Sequence, residues 1–176
     1  MSQHGSQNER RATVGMRPCT TSDAAAIAAI YNHYVRETVI TFEESPVAAE
    51  EMAARIAKLV PRFPWLVAED NGAIVAYAYA APWKERSAYR FALESTIYCA
   101  PSHMGRGIGT DLYRALLTTL RTGDFHTVIG GVALPNPASV ALHEKLGFKK
   151  VAQFAEVGYK LGRWVDVAYW QLPLTP

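Results

Sequence analysis

Gly105-Arg106-Gly107-Ile108-Gly109-Thr110 lies between an apolar, β-prone run, Ser95 to Cys99, and a stretch with apolar residues at helical spacing, Ile108, Leu112, Ala115, Leu116 and Leu120. Strand, glycine-rich loop and helix in that order place backbone N–H groups at a helix N-terminus, where the dipole adds partial positive charge. Such a loop is suited to hold a phosphate. For three glycines in isolation, a turn that only reverses the chain is the plainer alternative. Two familiar phosphate loops are excluded: no Gly-Lys-Ser/Thr occurs, and the spacing is G-x-G-x-G where a dinucleotide loop has G-x-G-x-x-G.

Outward from this loop, Thr127 to Val132 reads as a strand, and Asn136-Pro137 opens a helix over Ala138 to Leu146 with Gly147 at its left-handed cap. Val151 to Val157 and Val165 to Leu172 read as two closing strands. On the N-terminal side, Trp65 to Glu69 and Ala73 to Ala80 flank Asp70-Asn71-Gly72, a hairpin signal. Two helices precede them. Thr20 to Asp23 caps the first, with its stripe Ile27, Ile30, Tyr31, Tyr34 and Val35, while Ser45-Pro46 caps the second, with Met52, Ile56 and Leu59. The order predicts one mixed α/β (α+β) domain over residues 16 to 176, a largely antiparallel sheet with helices on both faces. Met1 to Gly15 is expected to be a disordered polar tail.

The 176 residues are 49% hydrophobic and 19% charged, enough apolar material for one core and too much for a disordered chain. A net charge of +2 excludes the broad basic face of a dedicated nucleic-acid binder. No apolar run reaches the roughly 20 residues of a membrane span, and the N-terminus lacks the apolar core of a secretory signal. Cys19 and Cys99 are too few for a disulfide framework or a zinc site, and His143-Glu144 lacks the second histidine of a zincin. A cytoplasmic protein with reduced thiols and no metal is expected, with no nucleic-acid or membrane partner.

Met104 to Gly109 resembles the Gln/Arg-x-x-Gly-x-Gly/Ala loop of the GNAT superfamily of acyl-CoA-dependent N-acetyltransferases, with Met104 where Gln or Arg is usual. The superfamily's later motif is similar to Asn136-Pro137-Ala138-Ser139 with Leu142 to Phe148. Further stretches, Trp65 to Glu69, Ala81 to Lys84, Glu94 to Tyr98 and Gly162 to Val167, resemble the phosphinothricin and methionine-sulfoximine N-acetyltransferases. Similarity runs from about Met16 to Leu174. It implies the GNAT fold, acetyl-CoA as co-substrate, a small glutamate-like amino acid acetylated on its α-amino group, and a homodimer. Another amine as acceptor, a protein N-terminus among them, and a non-catalytic acetyl-CoA-binding module stand as alternatives.

Several residues follow. An amine attacks a thioester only after losing a proton, and Glu94, at the start of its strand, matches the subfamily's catalytic glutamate. His143 shares a helix face with Asn136 and Ser139, a polar stripe expected to face the cleft while Leu142 and Leu146 point to the core. The resemblance makes it a second catalytic residue whose role as acid, base or positioning group is open. For the cofactor, the resemblance implies Gly105, Arg106, Gly107, Ile108, Gly109 and Thr110 at the pyrophosphate, Ile97, Tyr98 and Cys99 along the pantetheine, and Asn136 and Ser139 nearby. Strand alternation sets Cys99 on the face away from Glu94, Thr96 and Tyr98, so it is read as packing and not as a nucleophile. Lys84, Arg86 and Tyr89 are a donor set suited to the substrate's acidic groups, and Phe42 matches a pocket-lining aromatic. Tyr31, Tyr34 and Trp164 are expected to pack in the core or an interface.

Overall fold

The alternation Ala76-Tyr77-Ala78-Tyr79-Ala80 shows how the sheet divides the molecule. The three alanines are fully buried in one core, whereas Tyr77 belongs to a second core on the opposite face. The computed structural model describes residues 14–174. Seven strands form one sheet: β1 (Gly15–Pro18), β2 (Trp65–Asp70), β3 (Ala73–Pro82), β4 (Ala92–Cys99), β5 (Thr127–Ala133), β6 (Lys149–Lys160) and β7 (Arg163–Pro173). Their order is β1-β2-β3-β4-β5-β7-β6, and every neighbouring pair is antiparallel except β4 with β5. Helices α1 (Ala24–Glu37) and α2 (Ala49–Leu59) cover the tyrosine face. Helices α3 (Ile108–Arg121) and α4 (Pro137–Lys145) belong to the other, where Leu112, Leu116, Leu117 and Leu120 pack on the alanines. The predicted mixed sheet with helices on both faces is the observed fold.

The functional geometry follows from the parallel pair. β4 and β5 are in register only over Ala92 to Glu94, opposite Thr127 to Ile129. Beyond Glu94, β4 continues beside β3 as far as Cys99, and β5 continues beside β7 as far as Ala133. The sheet therefore opens along this seam, leaving the β5-facing edge of Ser95 to Cys99 without a strand partner.

Several boundaries differ from expectation. β4 begins at Ala92, which makes Glu94 its third residue and places it at the last rung of the parallel ladder. α2 begins at Ala49 and has no side-chain cap; Ser45-Pro46 lies in the preceding loop, and Glu50 and Glu51 supply negative charge to the first turn. That loop is held from α1, where the Asn32 side chain exchanges two hydrogen bonds, 2.8 and 2.7 Å, with the Val47 backbone. Residues 1–13 of the expected tail lie outside the described residues, whereas Gly15 already pairs with Glu69 in β1. Trp164 is 60% exposed and so does not pack in the core. No helix of the described residues is long and apolar enough to cross a membrane.

Candidate active site

The opening between β4 and β5 is a cavity of about 630 Å³. Glu94 lies at its base with no protein donor on either carboxylate oxygen among the described residues. Burial lifts its carboxyl above the usual range, and the Lys84 ammonium pulls it partly back. A carboxylate of this kind holds a proton more readily than an exposed one while staying open to the cavity.

On the other side of the cavity, Gly105 and Gly107 adopt φ of 75° and 84°, the left-handed region that glycine enters freely. Gly107 is the N-cap of α3 and makes no side-chain cap. The first bond back into the helix is Asp111 N to Gly107 O, 3.1 Å, so the amides of Ile108, Gly109 and Thr110 precede the helical ladder. These donors, the helix dipole and the open edge of β4 suit a long anionic ligand with a peptide-like arm.

Of the residues expected at the cofactor, Ile97, Tyr98, Cys99, Gly105, Gly107, Ile108, Gly109, Thr110, Asn136 and Ser139 all line this cavity. Arg106 does not. Its guanidinium turns away to Asp70, buried at the β2–β3 turn, with Nη1 3.2 Å from Oδ2. His103 Nε2 stands 3.4 Å from the same oxygen, and this histidine lines the cavity although its sequence neighbourhood gave no sign of it. Cys99 is mostly covered, and burial pushes its thiol up to about 11, as suits packing and not attack. Asn136 caps α4 by accepting from Ser139 N at 3.1 Å.

His143 is more deeply placed than its helical stripe suggests. It is 3% exposed, with Tyr113, Phe148 and Trp170 rings around it, and Leu142 packs against the core as expected while also lining the cavity. Its Nδ1 lies 2.7 Å from Ser139 O, which can only accept, so Nδ1 carries the hydrogen. Burial depresses the imidazole's pKa and keeps it neutral, so Nε2 must accept, and Tyr113 O–H donates to it over 3.2 Å. Ser95 O–H in turn donates to Tyr113 Oη. A buried chain thus runs from cavity-lining Ser95 through Tyr113 to His143. Sequence reasoning missed Ser95 and Tyr113; the available signal was a hydroxyl-bearing ring on the leucine face of α3.

The expected acceptor residues are spread over three places. Phe42 lines the first cavity. Lys84 and Arg86 line a second one, of about 1070 Å³, with Trp65, Tyr77 and Tyr79. Lys84 and Tyr79 are in electrostatic reach of Glu94, which places the second cavity next to the first. Tyr89 lines neither and is 44% exposed. Of the packing tyrosines, buried Tyr34 donates to Cys99 O and so ties α1 to the end of β4. No group of three potential metal ligands occurs among the described residues.

Comparison with known proteins agrees with this geometry. The family model for the acetyltransferase (GNAT) domain matches residues 16–169. A phosphinothricin N-acetyltransferase of Streptomyces viridochromogenes is 41% identical, over 96% of this chain and 93% of its own. An L-methionine sulfoximine/L-methionine sulfone acetyltransferase of Salmonella typhimurium is 36% identical, over 87% of this chain and 90% of its own. Among solved structures, a GNAT superfamily phosphinothricin acetyltransferase from Sinorhizobium meliloti in complex with acetyl-CoA superposes with a TM-score of 0.88 at 37% identity, covering 92% of this chain and 88% of that one. The parted strands, the glycine loop on α3 and the matched length together make this chain a member of the GNAT acetyltransferases.

Proposed function

We propose that the protein transfers acetyl from acetyl-CoA directly to the α-amino group of a small, glutamate-like amino acid such as phosphinothricin or methionine sulfoximine. The observation that carries this reading is the seam beyond Glu94, where a half-buried carboxylate and an unpaired strand edge meet in one cavity. Glu94 takes a proton from the substrate ammonium, directly or through water, and frees the nitrogen lone pair to attack the thioester carbonyl. Backbone amides along Ile97 to Cys99 stabilise the developing oxyanion. The C–N bond forms, the C–S bond breaks, and the sulfur leaves as thiolate.

The amides of Ile108, Gly109 and Thr110 bind the pyrophosphate, and Asn136 and Ser139 border the pantetheine arm. His143 works as a positioning group: neutral and buried, it holds Tyr113 and through it Ser95 at the cavity wall. Lys84 draws the acceptor's acidic group toward Glu94, and Arg86 and the exposed Tyr89 guard the approach. The free thiols Cys19 and Cys99 suit a cytoplasmic setting.

The working unit in this reading is a homodimer. β6 is an edge strand, and its hairpin with β7 exposes Val151, Phe154, Val157, Tyr159, Leu161 and Trp164, each at least half accessible. An apolar sheet edge of this kind favours a second copy of the same surface. Sedimentation at micromolar concentration should give twice the chain mass.

Thiol release from acetyl-CoA over a panel of acceptors tests the chemistry. Phosphinothricin, methionine sulfoximine and methionine sulfone should support turnover, and a polyamine, repelled by Lys84 and Arg86, should not. Turnover confined to a peptide N-terminus or a polyamine would overturn the substrate class. Tight acetyl-CoA binding without any turnover would replace the enzyme with a binding module.

A further inference from the structure

Lys160, the last residue of β6, is 2% exposed, and no carboxylate forms an ion pair with it among the described residues. A buried ammonium needs compensation. Here backbone carbonyls give it: Nζ donates to Thr41 O at 2.7 Å and approaches Tyr34 O at 3.5 Å, at the C-terminal end of α1 where the helix dipole is negative. Glu43 and Glu44 add longer-range attraction.

These contacts converge on the α1–α2 loop. The Thr41 hydroxyl lies 2.7 Å from Tyr31 Oη, which also donates to Glu43 at 3.0 Å, and Glu43 is gripped by Arg55 at 2.6 Å. Between the two fixed residues stands Phe42, whose ring lines the first cavity. Two residues before Lys160, and so on the same face of β6, Gly158 leaves the space that the ring occupies. A Cβ there would stand 2.2 Å from the ring's far carbon.

We propose that Lys160 is a positioning residue for the amine acceptor, its ammonium clamping the Thr41 carbonyl so that Phe42 lies against Gly158 as a fixed wall of the cleft. The proposal rests on the reading that an amine enters this cavity beside Glu94. It assigns acceptor selectivity in part to the β6–β7 hairpin, through one buried cation and one missing side chain.

Two variants separate the clamp from mere stability. Lys160→Met removes the ammonium and keeps the stem, and Gly158→Ala leaves the clamp intact but forces the Phe42 ring aside. Both should raise KM for the amino acid by about fivefold or more with KM for acetyl-CoA within about twofold, and Lys160→Arg should recover part of the loss. Equal changes in both constants, or none in either, would overturn the proposal. Amide hydrogen exchange over residues 38–44 reads the clamp without turnover. It should accelerate in Lys160→Met and not in Lys160→Arg, and unchanged protection in Lys160→Met would contradict the clamp even if no tested amino acid were acetylated. In that last case wild-type inactivity on the panel, and not these variants, would refute the acceptor reading.

Discussion

The Glu94 carboxylate and the His143 imidazole stand on opposite faces of β5, one beside Gly131 and the other beside Gly130. A Cβ at Gly130 would lie 2.2 Å from His143 Nε2, and one at Gly131 would lie 3.5 Å from Glu94 Oε1 and 3.1 Å from the Tyr169 ring. Successive residues of a strand face opposite ways, so the two groups cannot hydrogen-bond to each other across the strand. Their roles must differ. The carboxylate lines the cavity from one face, while the imidazole lies buried on the other with Ser139 and Tyr113 as its partners.

The two glycines should respond unequally to substitution. Gly130→Ala drives a methyl into a ring held on all sides and should destabilise the protein by about 1–3 kcal/mol, the usual range for overpacking. Gly131→Ala presses only on the edge of the Tyr169 ring, with Glu94 Oε1 at ordinary contact distance, and should cost distinctly less. Thermal unfolding of the pair checks this, and the same loss in both would mean that His143 is free to move.

Glu94 should trade stability for function. Its folded-state pKa is raised by burial, so the folded chain binds the proton more tightly than the unfolded one. The stability this contributes is present below the ordinary carboxylate range and is lost as pH rises through the folded-state value. Glu94→Gln should therefore melt close to wild type near pH 4 and increasingly above it toward pH 8. His143, depressed by burial, works the other way: its contribution is present above the ordinary imidazole pKa and is lost as pH falls below it. Tm measured against pH for both proteins separates the two.

Tyr113→Phe keeps the ring and removes the hydroxyl that joins Ser95 to His143. Nε2 and the Ser95 hydroxyl then lose their partner in a buried setting, at a cost of about 1–3 kcal/mol. For a chain of this size each kcal/mol is about 2–4 °C in Tm. An unchanged Tm would show that the chain of hydrogen bonds carries no stability.

Asp70→Asn should act on the cofactor side alone. Asp70 holds Arg106, and His103 when protonated, and so fixes the loop ahead of α3 from the β2–β3 turn. Without its charge the loop loosens, and KM for acetyl-CoA should rise by about threefold to tenfold while KM for the amino acid stays put. Steady-state kinetics in both substrates decides it.

Much of this was legible in the sequence where local signals were strong. α3 follows from a leucine stripe behind a glycine loop, and α4 from Asn136-Pro137, whose side-chain cap is observed. β1 was not legible because four residues at a sheet edge carry no periodicity. Ser45-Pro46 imitated a helix start that the Asn32 to Val47 bonds, a tertiary effect, displaced to Ala49. That most of the expected residues share one cavity was legible, but their depth was not. The face occupied by His143 is visible from spacing, whereas its burial depends on Tyr113 and Trp170 arriving from distant parts of the chain. Arg106 reads as a phosphate ligand until the β2–β3 turn places Asp70 beside it.

The central claim is that Glu94 removes the amine proton. The measurement is kcat of Glu94→Gln with phosphinothricin or methionine sulfoximine and saturating acetyl-CoA. A loss of about 100-fold or more, with the Kd for acetyl-CoA unchanged, is the result this account predicts. Full turnover in Glu94→Gln would contradict it.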